Sequence, residues 1–398
     1  MHSSPARLTL THWAGWVDRW RAWRDRLLAS PRFQRQAAAF SLTRPVARRH
    51  ARELFDLVAG FVYSQVLLAC VRLHLFDLLA EGPQTLPPLA HRLGLAPDAA
   101  QRLLDAAVAL RLVEHRGHGR YGLGALGAPM VGNAAVEAMV LHHAALYADL
   151  ADPVALLRAS ADQRSGNALA RYWAYDAAAA PGEAPDLRVA TYSTLMAASQ
   201  PLVADEILDV YPLHGHRCLL DVGGGDGRFL VSAALRAPAL SLMLLDLPAV
   251  VERARVRLSA AGLASRASLF GASFLTDALP RGADIASLVR VIHDHDDAAA
   301  MTILRAVHAA LPAGGTLLLA EPMAGTRGAA AMGDAYFGIY LWAMGRGRPR
   351  SAVALTGMLK SAGFDTVRAI PTRLPLQTRL LVARRAGENP VAFGVNQY

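Results

Sequence analysis

Apolar and polar positions change their period twice along this chain. Near the N-terminus, Trp13, Trp16, Trp20, Trp23 and Leu27 recur at steps of three or four, with arginines between them. That spacing puts the indoles on one face and predicts one or two basic amphipathic helices over 13–52. A helix is predicted from Leu54 to Leu79, followed by helices at Leu86–Leu95 and Pro97–Leu112, where Pro97 and Asp98 make a helix start. Leu112-Val113-Glu114 and Arg120-Tyr121-Gly122-Leu123 then flank a turn at Arg116–Gly119, the outline of a winged helix. Ala134–Arg158 reads as helix, Ala159–Asp186 is rich in Ala, Gly and Pro around Tyr172, Trp173 and Tyr175, and Val189–Asp209 reads as helix again.

From Arg217 short apolar runs alternate with helical stretches. The predicted strands are Cys218–Val222, Ser241–Leu245, Ala267–Phe270, Ile285–Ile292 and Thr316–Ala320, with a late pair near Val367–Ile370 and Arg379–Ala383. Helices are predicted between them at Arg228–Leu235, Val250–Ala261, Ala298–Leu311 and Val353–Ala362. The alternation predicts an α/β domain with a mostly parallel, doubly wound sheet.

Composition adds a few constraints. At 398 residues the chain is expected to hold two domains, and 53% apolar with 18% charged residues excludes a disordered chain. The formal charge of +9 raises nucleic acid or an anionic membrane surface as partners. The predicted helix Pro97–Leu110 carries Arg102 as its one base, too little for a DNA-reading helix, so no nucleic-acid partner is expected. The Trp-faced N-terminal helix either packs on its own protein or a twin subunit, or docks on a membrane surface. Two cysteines, Cys70 and Cys218, sit in apolar runs as buried thiols. The charged first thirty residues lack a secretory pattern, and the 15-residue run Leu57–Val71 is short for a bilayer span, so a cytoplasmic protein, with membrane contact at most peripheral, is expected.

Three strand ends carry the chemistry. In Leu219-Leu220-Asp221-Val222-Gly223-Gly224-Gly225-Asp226-Gly227 a strand meets a glycine turn and then a helix. Dinucleotide sites want G-x-G-x-x-G, whereas here the third glycine comes one residue early, and the lysine of a phosphate-binding loop is absent. Asp221 would repel pyrophosphate but could receive an ammonium, which favours an S-adenosylmethionine site. A nicotinamide oxidoreductase stays the enzymatic rival. Asp246 ends the next strand, where a carboxylate can accept both ribose hydroxyls or cap the following helix. His293-Asp294-His295-Asp296-Asp297 follows another strand. Neighbours on one turn rarely converge on a metal, so a general base is the preferred reading of His293. Glu321 ends a further strand, where it could orient that histidine or be a surface acid.

Taken in order, these motifs, with Asp246-Leu247-Pro248, Gly314-Gly315 and Leu359-Lys360-Ser361-Ala362-Gly363-Phe364, resemble the small-molecule O-methyltransferases of the plant caffeic-acid type over roughly residues 50–385. The resemblance implies a Rossmann-like C-terminal methyltransferase domain and a mainly helical, N-terminal winged-helix dimerisation domain. The expected divisions are a basic extension at 1–50, the dimerisation domain at 51–185, the S-adenosylmethionine-binding domain at 186–385 and a tail at 386–398. Leu28-Ala29-Ser30-Pro31-Arg32-Phe33-Gln34, Leu54-Phe55-Asp56-Leu57, Phe61-Val62-Tyr63-Ser64-Gln65, His142-His143, Tyr147-Ala148-Asp149-Leu150 and Tyr172-Trp173 are similar to the bacterial hydroxycarotenoid O-methyltransferases.

Carried over residue by residue, His293 falls on the base, Asp294 follows it, and Glu321 falls on the first of two acids flanking it. Asp221, Gly223, Gly225, Asp246, Leu247, Ser273, Phe274 and Arg290 are expected around S-adenosylmethionine, Met196 in the acceptor pocket, and no metal. The implied acceptor is the tertiary hydroxyl of an acyclic carotenoid, with a phenolic or polyketide hydroxyl as alternative; the implied assembly is a homodimer. A winged-helix regulator is the non-enzyme alternative. Three positions depart from the family: His295 replaces its aromatic, the second flanking acid aligns near Pro349, and Ala272 stands where an acid often meets the adenine, with Ser273 beside it.

Overall fold

A computed structural model describes residues 6–172, 200–375 and 378–387. The chain forms two compact units, Met1–Val131 and Gly132–Tyr398. The expected boundary lay at 185/186; the division instead falls ahead of a helix whose His142 and His143 bond to tyrosines at 340 and 336 of the second unit.

In the first unit the N-terminal stretch is α1 (Ala6–Ala29), α2 (Pro31–Ala39) and the opening of α3 (Arg44–Arg72). Ser30 separates the first two by accepting the Phe33 N–H, with Pro31 preset for the first helical turn. The helix predicted over Leu54–Leu79 is two helices. The amides of Leu73 and His74 close on Ala69 and Val71, and His74 takes φ +53°, which a continuing helix forbids. α4 (Leu75–Ala80) follows. With 29 residues, α3 is by length and composition apolar enough to cross a membrane, beyond what the 15-residue run suggested. Only its last turns are buried, at Leu68, Cys70 and Val71; Leu54, Phe55, Leu57, Val58, Phe61 and Val62 form an exposed apolar face. β1 (Gln84–Thr85), α5 (Leu86–Leu93), α6 (Pro97–Ala109), β2 (Val113–Arg116) and β3 (Arg120–Leu123) complete the winged helix, its antiparallel sheet ordered β1-β3-β2. The wing is tied to α6 where Gln101 donates to the buried Tyr121 hydroxyl at 2.9 Å.

The second unit opens with α7 (Ala134–Asp149) and α8 (Pro153–Arg158), again two helices where one was predicted. The first ends at a Leu150 C-cap, and Asp152 caps the second by accepting the amides of Val154 and Ala155. α9 (Ala161–Arg164), α10 (Ala168–Tyr172) and α11 (200–208) follow. The sheet comprises β4 (Cys218–Val222), β5 (Ser241–Asp246), β6 (Ala267–Gly271), β7 (Ile285–Val289), β8 (Thr316–Glu321), β9 (Phe364–Ile370) and β10 (Arg379–Arg385), in the order β6-β5-β4-β7-β8-β10-β9. The first five are parallel; β10 runs antiparallel between β8 and β9. Helices α12 (Arg228–Arg236), α13 (Pro248–Ala260), α14 (Asp297–Ala310) and α16 (Ala352–Ser361) lie near their predicted places. Alternate residues of the central strands feed two apolar layers: Leu220, Val222 and Leu288 on one face, Leu219, Leu242 and Leu244 on the other. Burial on both faces explains the continuous apolar runs.

The strand predicted over Ile285–Ile292 ends at Val289. Arg290 adopts φ +57° and a short 3₁₀ turn, Ile292–Asp294, follows. That left-handed residue turns the chain off the sheet and lifts His293 beyond the strand end. A π-helical turn (Ala331–Tyr336) running into α15 (Phe337–Ala343) has no counterpart in the predicted elements.

Candidate active site

The strand order reverses at β4: the chain runs β4-β5-β6 to one side, then returns to β7 and β8 on the other. Ligands of open α/β sheets bind outside the strand ends at such a point. There the glycine loop leaves β4. Gly223 takes φ +69°, and a Cβ on it would lie 2.9 Å from Val291 Cγ2 and 3.4 Å from the Phe274 ring, so the loop has no room for a side chain beneath the crevice. The Gly225 N–H donates to Asp246 Oδ2 at 2.8 Å, and Leu247 N–H donates to Oδ1 at 2.7 Å. Asp246 thus ties the glycine loop to the end of β5 and is not the N-cap of α13, which is Leu247.

Asp221 is 1% exposed. Its Oδ1 accepts the Ser287 hydroxyl at 2.6 Å, while Oδ2 is buried with no hydrogen-bond partner. Burial, opposed by the Ser287 hydrogen bond and reinforced by the charge of Asp246, pushes its pKa up to about 7. An orphaned buried carboxylate oxygen beneath a glycine loop asks for a cation or a donor.

His293, Asp294 and Glu321 are brought together beyond β7 and β8, all buried. His293 Nδ1 is hydrogen-bonded to Glu321 Oε2, and Nε2 lies 3.1 Å from Asp294 Oδ1. The other Glu321 oxygen accepts the amides of Val291 (3.1 Å) and Ile292 (2.7 Å). Glu321 is therefore no surface acid; both its oxygens hold the turn. Burial disfavours the imidazolium, but the carboxylates of Asp294 and Glu321 outweigh it and raise the pKa of His293. Burial lifts Asp294 to about 7, with Glu321 adding to the rise and His293 and Arg290 opposing it. The two histidines of His293-Asp294-His295 do not converge. His295 packs edge-on against Phe274, ring centroids 5.4 Å apart, in the place of the family's aromatic. Among the described residues no group of three or more His, Cys, Asp and Glu is placed to hold a metal.

Ser273 caps its own turn: its hydroxyl accepts the Leu275 amide at 3.3 Å and its N–H donates to Asp277 at 2.8 Å. Met196, Trp173 and Tyr175 lie outside the described residues. Sequence reasoning missed an aromatic wall beside His293. The Phe337 ring meets His293 edge-on at 6.2 Å, and Tyr336 and Tyr340 stack beside it. His143 pairs with the Tyr336 hydroxyl and His142 with that of Tyr340, both at 2.8 Å. Burial, with the neighbouring His143, lowers His142 to about 4. Burial also lowers His143 and raises Tyr336, so the wall is uncharged at neutral pH. The signal available was His142-His143 itself.

Comparison with known proteins identifies the family. An O-methyltransferase domain family matches residues 147–365, and an O-methyltransferase dimerisation domain matches 55–132. The chain is 44% identical to demethylspheroidene O-methyltransferase of Cereibacter sphaeroides over 92% of this chain and 95% of that one. It is 40% identical to the enzyme of the same name from Rhodobacter capsulatus, over 90% and 88%. Among solved structures it resembles CalO1, a methyltransferase in calicheamicin biosynthesis in its SAH-bound form (TM-score 0.71, 25% identity, 85% of this chain and 98% of that one). Human N-acetylserotonin methyltransferase in complex with SAM shares the fold (TM-score 0.69, 23% identity, 85% and 98%). The orphaned Asp221 oxygen and the side-chain-free Gly223 fit S-adenosylmethionine, a donor with an ammonium and a ribose. The winged helix, which carries little basic charge on α6, is that family's dimerisation domain and supports a homodimer. This chain belongs to the O-methyltransferase family, and it is an S-adenosylmethionine-dependent enzyme that methylates a hydroxyl.

Proposed function

We propose that the acceptor is the tertiary hydroxyl of an acyclic hydroxycarotenoid of the demethylspheroidene or hydroxyneurosporene kind. The observation that carries this reading is the 44% identity, over 92% of the chain, to a demethylspheroidene O-methyltransferase. The uncharged wall of Tyr336, Phe337 and Tyr340 beside His293 supports it, because a polyene offers only apolar surface along its length.

When bound, S-adenosylmethionine supplies an electrophilic methyl group. Asp221 would receive its ammonium, Asp246 its ribose hydroxyls, and Gly223, Gly225, Leu247, Ser273, Phe274 and Arg290 would surround the rest. Of these, Gly223, Gly225, Asp246 and Leu247 already form one hydrogen-bonded loop edge. His293 accepts the acceptor's hydroxyl proton at Nε2. Glu321 fixes the Nδ1–H tautomer and balances the positive charge that develops on the ring. Asp294, beside Nε2 and titrating near neutrality, hydrogen-bonds the ring or the incoming hydroxyl. A tertiary alcohol is weakly acidic and crowded, so proton removal and alignment both count.

The test is methyl transfer from labelled S-adenosylmethionine to a panel of acyclic hydroxycarotenoids, phenols and hydroxynaphthoates. Labelled carotenoid ether is expected. Methylation of the phenols alone would overturn the reading.

We also propose peripheral contact with the cytoplasmic face of a membrane through α1, where a carotenoid would be reached. Trp16, Trp20 and Trp23 share one exposed face of this helix. Arg19 and Arg26 flank that face on one side and Arg24 on the other, while Asp18 and Asp25 fall opposite. Indoles between arginines, with acids turned away, suit an anionic lipid surface. Flotation with anionic vesicles should lose its signal in a triple Trp16→Ser, Trp20→Ser, Trp23→Ser variant and in high salt. If the variant changes oligomeric state and vesicle binding is nil throughout, α1 covers a twin subunit instead.

A further inference from the structure

Where the family resemblance expects a second acid beside the base, near Pro349, this chain places a strap, Gly347-Arg348-Pro349-Arg350. Its donors take three of the carbonyls of the catalytic turn. The Arg348 N–H donates to the His293 carbonyl at 2.9 Å. Arg350 Nη1 donates to the Ile292 carbonyl at 2.8 Å, and Nη2 to the His295 carbonyl at 2.7 Å. Nε and Nη2 also reach Asp297 Oδ1, at 2.9 and 2.7 Å. The Arg350 side chain is 1% exposed. Arg348 Nη2 holds the other oxygen of Asp297 at 2.6 Å.

The strap lies flat against the turn. Gly347 has φ +79°, and a Cβ there would lie 2.7 Å from the Asp294 carbonyl carbon. Its far edge is tied to the chain leaving β8, since Ala324 N–H donates to the Arg350 carbonyl at 3.1 Å and Ala324 bridges Ser351. The peptide groups of Ile292 are thus gripped at both ends, N–H by Glu321 and C=O by Arg350.

We propose that Arg350 is a positioning residue for the reaction: through the carbonyls of Ile292 and His295 it fixes the turn that aims His293 at the acceptor oxygen, in the place of the missing second acid. A guanidinium suits this task because its planar fork meets two carbonyls and a carboxylate at once. An ammonium, with no fork, reaches fewer of them. The charge also explains the burial: an arginine enclosed to this degree needs its partners, and Asp297 at the start of α14 supplies the counter-charge.

This inference rests on His293 being the base, and the two fail differently. If His293→Ala keeps normal turnover, the base assignment is wrong. If that variant is inactive, the Arg350 variants decide the rest. The experiment compares full-length wild type, Arg350→Lys, Arg350→Ala and Asp297→Asn. It measures S-adenosylhomocysteine affinity by calorimetry, acceptor KM, and kcat against pH. For Arg350→Lys the cofactor affinity and KM should stay near wild type, while kcat falls by about 10²-fold, the scale of a misplaced catalytic group. The acid limb of its kcat–pH profile should move, since the imidazole shifts against Glu321 and Asp294. Added guanidinium should restore part of kcat to Arg350→Ala. A kcat within twofold of wild type in both Arg350 variants would overturn the proposal. So would cofactor affinity and kcat falling in step with an unmoved pH profile, which marks a purely structural residue. Should Arg350→Ala fail to fold, Arg350→Lys and Asp297→Asn carry the same readouts.

Discussion

At the scale of the residue, three carboxylates divide the work of the crevice by what surrounds them. Glu321 is saturated by two amides and an imidazole, Asp294 shares the other side of that ring, and Asp221 holds one oxygen in reserve. If His293 is the base, His293→Ala should lower kcat by about 10²–10⁴-fold and leave S-adenosylhomocysteine affinity unchanged by calorimetry. The imidazole must be neutral to take a proton, and its pKa is raised above the ordinary 6.5. Turnover is therefore expected to fall as pH drops through that raised value. Glu321→Gln removes one of the charges that raises it, so the acid limb should move to lower pH while the plateau falls; a limb that stays in place would refute the pairing as its cause. Asp221, lifted to about 7 by burial, carries part of a proton at neutrality. An ammonium arriving at its free oxygen would expel that proton. Calorimetry at pH 7 in buffers of different ionisation enthalpy should register proton release on cofactor binding, and Asp221→Asn should abolish it.

At the scale of the element, the site is made by the places where strands stop. Asp221, Asp246 and Glu321 lie within or end strands that the alternation of apolar runs located to within a residue or two, because parallel strands buried on both faces leave a strong signal. The end of β7 was less legible. The apolar run continues through Val291 and Ile292, and only the backbone at Arg290 shows that the strand has already turned. The π-helical turn before α15 was hidden because an inserted residue breaks the helical period, and Gly333 and Gly338 weaken the propensity there. Arg350 was hidden for a different reason: a basic loop residue reads as solvated, and only the fold reveals the carbonyls that enclose it. The glycine loop offers an element-scale prediction. Gly223→Ala places a methyl against Val291 at a φ of +69° and must push the loop toward the crevice. Cofactor affinity should fall by about tenfold or more, in keeping with a backbone conformation costing on the order of 1–2 kcal/mol for a residue with a side chain. Near-wild-type affinity in a dialysis assay would show that the loop has slack.

At the scale of the whole molecule, α3 presents an exposed apolar face in the dimerisation domain, with Leu57 82% and Phe61 68% exposed. Faces of this kind mark association sites. The double substitution Leu57→Asp, Phe61→Asp should turn the dimer into a monomer in analytical ultracentrifugation while the second unit still binds S-adenosylhomocysteine. A variant that remains dimeric would move the interface elsewhere. The other global feature is the order of the sheet's last strands. β10 slots between β8 and β9, both of which precede it in the chain, and its Arg379 pairs with Glu321. During synthesis the ribosome must deliver residues 379–385 before this gap can close. A polypeptide released early would carry two bare strand edges, one of them ending at Glu321, and such edges invite aggregation. β10 thus closes two edges at once and backs the strand end from which Glu321 reaches His293.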